Sequence, residues 1–327
     1  MTSFIFKRLI NLIPTFFIAT FIAWMVIDIA PGDFSSNFRF ETVDIGRAER
    51  IRQQLGLDQP GYIRYFYWLR NLLFDFDFGQ SLASRSDVTA LVIPRMINSL
   101  RLVLPATILS FLIAIPIGVY SALRKYSIGD RILTVFSLLG LAIPNFFLML
   151  LVVAFAVQWF QANGYFLIPV GGMTSNNYSQ LGPLEKQLDF LWHLIGPMLV
   201  VALSGLAGIS RFMRGEMLEV LGNDYIRTAR AKGLSERAVN YKHALRNAII
   251  VIVATIGGIL PALINGAGLV EYVARWPGIT PLFIRSIISQ DIYVVMAFLT
   301  IITIFLMLGN LLSDIALAII DPRIRYS

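Results

Sequence analysis

The chain contains no cysteine and only two histidines among 327 residues. A disulfide framework and thiolate metal or redox sites are therefore excluded. His193 is expected to face outside and His243 inside, and no HExxH spacing exists, so a shared zinc site is excluded too. Neither GxxxxGK[ST] nor G-x-S-x-G occurs, so the chain carries no standard phosphate-binding loop and no nucleophile elbow. Charge is also scarce, at 14% of residues. Soluble domains carry about 25%.

What is present is apolar, with 57% hydrophobic residues and a mean hydropathy of +0.70. A spanning helix needs about 20 mainly apolar residues. Six runs meet that length, at 9–30, 102–123, 132–158, 191–212, 248–270 and 294–320. No strand-like alternation appears, so the expectation is an all-α integral membrane protein. The first run is too long for a signal-peptide core and lacks a small-x-small cleavage site, which predicts an uncleaved span.

The net charge of +7 has a pattern. Lys7, Arg8, Arg124, Lys125, Arg131, the stretch from Arg211 to Arg246, Arg323 and Arg325 fall on one side if the N-terminus is inside. Short loops on the other side hold only Lys186, Arg275 and Arg285. The positive-inside rule then predicts cytoplasmic N- and C-termini. The expected divisions are a first span within 1–31, an extracytoplasmic segment 32–98, a five-helix core 99–320 and a cytoplasmic tail 321–327. Within 32–98, the stretch "ERIRQQLGLDQPGYIRYFYWLRNLLF" has helical apolar spacing, and its aromatics suit the headgroup layer.

The most informative segment is the basic loop 213–247. Asn223 or Asp224 suits a helix start, Gly233 a left-handed stop and Ser235 a second start. Two helices meeting at a glycine corner are predicted. Tyr225, Ala229 and Gly233 fall on one face, where small side chains would let a partner backbone approach closely. Arg227 and Arg230 could meet acids on that partner. The physics leaves docking and simple membrane anchoring level. Nucleic-acid binding is disfavoured because aromatic interleaving is absent.

The segment "EVLGNDYIRTARAKGLSERAVNYKHALRNAI" resembles the cytoplasmic coupling loop of ABC-transporter permeases, in the form used by dipeptide and oligopeptide importers. Ala229-Arg230-Ala231 followed by Gly233 stands where that family has Glu-Ala-Ala and then Gly; the leading Glu is commonly missing in the peptide branch. "RLINLIPTFF…IAPGD", "LGLDQP", "DFGQS", "GLAIPNFF", "RWPGI" and "DPRIRY" resemble the family's motifs in order.

The resemblance implies six transmembrane helices of the ABC importer permease type in the inner membrane, with a long extracytoplasmic insertion after the first. It implies a second homologous permease, two ATP-binding subunits and an extracytoplasmic substrate-binding protein as partners. ATP and Mg would sit on the ATPase subunits, with no cofactor and no catalytic set in this chain. Asp224, Tyr225, Arg227, Ala229, Arg230, Ala231 and Gly233 are the implied coupling residues. Oligosaccharide and nickel-chelate importers share the scaffold, so the cargo stays open.

Asn145, Asn265, Tyr272, Arg275 and Trp276 are the pathway candidates, the last three as part of an outer gate. Asp28 and Asp314 sit near opposite span ends, which argues against a catalytic or proton-relaying pair. Asp314 is expected to pair with backbone or an Arg, and Asp28 to lie at the interface. An ATP-independent secondary transporter, the rival from another class, would need central coupling acids and repeat symmetry.

Overall fold

A computed structural model describes residues 2–31, 53, 57–254 and 267–320. The described chain is built of helices; its one strand-like feature is an isolated bridge between Gln80 and Asp87. Helix α1 spans Thr2–Ile29, α2 Gly61–Asp75 and α3 Val88–Leu123. Helix α4 spans Ile128–Ala142, α5 Asn145–Asn163 and α6 Pro183–Leu221. Then come α7 (Asp224–Ala231), a π-helical segment Ala238–Ala244 and α8 (Leu245–Ala254). Helices α9 (Leu269–Val273), α10 (Ile279–Ile288) and α11 (Ile292–Ile320) complete the described order.

Five stretches are long and apolar enough to cross a membrane: Arg8–Ile29, Val88–Leu123, Asn145–Asn163, Pro183–Leu221 and Ile292–Ile315. Three expectations need correction or fall outside the description. The run 132–158 is not one helix. It breaks between α4 and α5, where Ile143 and Pro144 are extended. Pro144 has no N–H to give and disfavours α geometry in the residue before it. The run 248–270 is described only at its ends, because 255–266 lie outside the described residues. The second run also begins earlier than expected. Asp87 caps α3 by accepting the Thr89 N–H at 2.7 Å, so the boundary placed at residue 98 lies inside a helix.

The bundle is organised around α3 and α6, which run parallel at close range. Leu102 packs near Leu194 and Val200 at one end, and Val119 near Met213 and Met217 at the other. A Cβ on Gly118 would lie 2.6 Å from the Met213 Cβ, and one on Gly205 would lie 2.7 Å from Ser110 Oγ. Ser110 Oγ donates to the Ala202 carbonyl at 2.8 Å, across the pair. Small residues and hydroxyls of this kind replace the hydrophobic drive that lipid removes. Helix α4 follows α6 in the opposite direction, with Ser137 and Ser210 hydroxyls 3.1 Å apart and Gly140 against Ala207. Together α4 and α5 still lead from the α7 end of the bundle to the other.

That other end is held by buried carboxylates. Helix α2 lies on α1 through Trp24, Tyr65 and Trp68, while Tyr62, Phe66 and Tyr67 point outward. Asp28 pairs with Arg64 of α2, in keeping with an interfacial group. Ser81 and the Ala83 N–H bind the Asp291 carboxylate at 2.5 and 3.2 Å, which accounts for the serine of "DFGQS". Fully buried Glu271 accepts the Ala267 and Thr280 N–H groups at 3.2 and 3.0 Å. At the α7 end, Arg8 pairs with Asp314 at 3.3 Å, as expected for that acid.

The turn around Glu271 leaves no room at Gly278, where a Cβ would lie 2.2 Å from the Glu271 carboxylate. Gly278→Ala is expected to destabilise by about 2 kcal/mol through overpacking. Thermal unfolding of the detergent-solubilised protein reads this, and an unchanged melting temperature contradicts the assignment.

Candidate functional site

The site is the corner formed by α7 and the helix that follows it. Helix α7 is short because it ends in a double hydrogen-bonded stop. The Gly233 N–H reaches the Arg230 carbonyl at 2.9 Å and the Leu234 N–H reaches the Ala229 carbonyl at 3.4 Å. Gly233 itself takes φ +78°, the left-handed geometry that favours glycine. The chain restarts at once: the Ala238 N–H is 3.3 Å from Ser235 Oγ, as a capping serine requires. Asn223 occupies the cap position of α7 without a side-chain capping bond. The second helix then passes through the π segment, a wider turn often placed at functional positions. His243 lies within it, in the corner leading to α8.

Burial divides the predicted coupling residues. Ile226 and Ala229 face inward and pack with Val119, Met213, Met217, Val239 and Ala244. The shared partner-facing surface expected for Tyr225, Ala229 and Gly233 is therefore not formed. Ala229 is buried against its own bundle, because its small side chain lets α7 seat closely there. Asp224, Tyr225, Arg227, Arg230, Ala231 and Gly233 are exposed. Arg227 pairs loosely with Asp224 at 3.4 Å, and both stay largely solvated. Arg230 reaches across the glycine corner to Glu236 at 2.9 Å, so it braces the two helices against each other. Exposed pairs of this type stabilise weakly, which leaves their charges available to a partner.

One bracing group escaped the sequence reading. Asp130, in the first turn of α4, is 2% exposed and receives Arg214 of α6 in a two-point grip at 2.8 and 3.0 Å. It also accepts the Tyr126 N–H at 2.8 Å. The only local sign was a capping Ser127 three residues ahead of an acid; the distant arginine cannot be read from spacing.

The pathway candidates separate as well. Arg275 and Tyr272 are exposed beside α9, whereas Trp276 is fully buried. Its indole N–H donates to the Asn98 carbonyl at 2.8 Å, and Asn98 returns a bond to the Pro277 carbonyl at 3.1 Å. Trp276 thus joins α3 to the α9–α10 turn. Asn145 opens α5 after the Pro144 break and is half-buried. Asn265 lies outside the described residues.

Comparison with known proteins shows the family to which the chain belongs. Residues 114–326 match the family described as binding-protein-dependent transport system inner membrane component. Residues 1–103 match the N-terminal module of such components. The chain belongs to this family. It is thus a multi-pass inner-membrane permease component of a binding-protein-dependent transport system.

Curated relatives align over their whole length. An oligopeptide transport system permease protein of Bacillus subtilis (strain 168), AppB, is 37% identical over 330 residues, covering 100% of both chains. A putative peptide transport system permease protein of Brucella abortus (strain 2308) is 34% identical over 329 residues, again covering 100% of both. The glutathione transport system permease protein GsiC of Escherichia coli (strain K12) is 33% identical over 330 residues with the same coverage.

Two outcomes follow for the permease. A Cβ on Gly233 meets nothing within 4 Å, so only its backbone angle resists substitution. That angle costs an ordinary residue about 1–2 kcal/mol. Gly233→Val is expected to lower transport roughly tenfold with the bundle intact by size exclusion, while Gly233→Asn, which tolerates the angle, retains most of it. Asp130→Ala strands Arg214 and is expected to cost about 2 kcal/mol in thermal unfolding.

Proposed function

We propose that this chain forms half of the translocation pathway of an ATP-driven importer of di- and oligopeptides. The observation that carries the cargo class is the set of full-length relatives, named for oligopeptide, peptide and glutathione transport. The pathway is completed by a second, homologous permease. Two ATP-binding subunits bind ATP and Mg and do the hydrolysis, and a substrate-binding protein delivers cargo from outside. The chain itself is non-catalytic.

The α7 end lies in the cytoplasm, with both termini, and the α2 end faces outward. This orientation keeps the basic corner inside, as the charge distribution demands. The exposed edge of α7, with Asp224, Tyr225, Arg227 and Ala231, meets the ATPase. Ala229 acts from below by seating α7 on the bundle, and Arg230 with Glu236 holds the corner angle. Movement of the ATPase turns the corner about Gly233. The cluster of Ile226, Ala229, Met213 and Met217 passes that rotation into α6. The buried and braced acids Asp28, Asp130, Asp291 and Glu271 are structural, which disfavours an ion-coupled carrier.

Mild-detergent purification of the chain from its native membrane, with mass spectrometry of what accompanies it, tests the reading. Recovery of two ATP-binding subunits, a second permease and a binding protein that carries peptide is the expected result. A solitary chain that transports without ATP overturns it.

A further inference from the structure

A cavity of about 790 Å³ opens at the end of the bundle opposite α7. Its walls come from the loop between α5 and α6, the first turns of α6 and the turn after α9. Its volume suits a small organic ligand or the end of a peptide. Arg275, Thr174, Asn176, Asn177, His193 and Trp192 are among its lining residues.

Three observations give this cavity a chemical character. First, Arg275 has a fixed backbone: at φ +51° it is the left-handed residue that closes α9, where the Trp276 N–H reaches the Glu271 carbonyl at 2.8 Å. The loop binds the same turn: the Gly172 N–H donates to the Ala274 carbonyl at 2.8 Å, and a Cβ on Gly171 would sit 3.0 Å from that same carbonyl. The glycine strap clamps the peptide next to Arg275. Second, Arg275 is exposed and among the cavity's lining residues, and among the described residues no carboxylate lies within ion-pair distance of its guanidinium. Third, the nearby acid is already engaged. Asp189 Oδ2 accepts the Ser175 N–H at 2.9 Å and Oδ1 the Ser175 hydroxyl, while His193 Nδ1 lies 2.8 Å from the Asp189 backbone carbonyl and 3.6 Å from Oδ1. Asp189 stands behind the wall and is not part of the lining.

We propose that this cavity is a carboxylate-binding subsite for the cargo, with Arg275 as its charged anchor. A guanidinium binds a carboxylate through paired N–H donors, and the Asn176 and Asn177 amides and the Thr174 hydroxyl add neutral donors around it. The aromatic and aliphatic wall at Trp192, Phe166 and Val273 takes the apolar part of the ligand. The subsite makes the permease a second point of selection after the binding protein. The inference rests on the peptide-importer reading and on the outward placement of this end. The carboxylate comes from a peptide C-terminus or from an acidic side chain.

The test uses the complete complex in proteoliposomes, with its binding protein saturated by each peptide in turn. One peptide carries a free C-terminus, a second is its C-terminal amide, and a third is an amide bearing an internal Glu. Uptake is compared for wild type, Arg275→Gln and Arg275→Lys, with assembly checked by size exclusion and basal ATP hydrolysis. Wild type is expected to favour the free acid over the amide roughly tenfold. Arg275→Gln is expected to abolish that ratio, and Arg275→Lys to keep part of it. Rescue of the amide by the internal Glu, dependent on Arg275, assigns the site to acidic side chains. Equal uptake of acid and amides by wild type, or an unchanged preference in Arg275→Gln, overturns the subsite and leaves the importer standing. If wild type moves no peptide and the binding protein carries other cargo, the peptide reading fails and the subsite with it.

Discussion

The close parallel contact of α3 with α6 is the constraint on which the other elements depend. Gly118, Gly205 and Ser110 remove the bulk that would hold the two helices apart. In lipid, where apolar association gains little, such contact must come from packing and interhelical hydrogen bonds. Its consequences reach both ends. At one end the pair supports the cluster that seats α7. At the other it supports the turn carrying Glu271, Arg275 and Trp276, since Ser99 and Asn98 of α3 bind that turn directly. The α7 corner and the cavity wall are thus both packed on the α3–α6 pair.

The acids of this chain illustrate how a membrane protein uses charge without chemistry. Asp28, Asp130 and Asp314 each meet an arginine from a distant element. Asp291 and Glu271 are satisfied by backbone N–H groups and hydroxyls. Each contact fastens a helix end to a neighbour. An unpaired carboxylate at such positions would be costly, and its pairing is what makes burial tolerable. Arg275 stands apart from this pattern as a cation on a cavity wall with a left-handed backbone.

The geometry of the α7 corner was legible in sequence. Asn223 or Asp224, Gly233 and Ser235 mark start, stop and restart, and the structure places α7 and the left-handed glycine there. The left-handed Gly233 and the Ser235 cap are decided locally, so local sequence suffices for the stop and restart, while Asn223 marks the start without a capping bond. The face assignment failed at Ala229 for a different reason. Helical spacing tells which residues share a side, but both sides of α7 carry small residues, and only the position of the bundle selects the inner one. Trp276 went the same way: an aromatic beside a span end reads as a gate, and tertiary contact with Asn98 turns it into a core residue.

The sequence by itself determined the class, the apolar runs and the corner, because hydropathy, capping and glycine geometry act over a few residues. It also carried the family, through motifs in a fixed order. Tertiary structure alone decided that Asp130 grips Arg214, 84 residues away, and that Asp291 binds Ser81, 210 residues away. It decided as well that Trp276 binds Asn98 of α3, 178 residues away, and that the Gly171–Gly172 strap binds the turn before Arg275. These pairings depend on which helix lies beside which, and no local interaction encodes that choice.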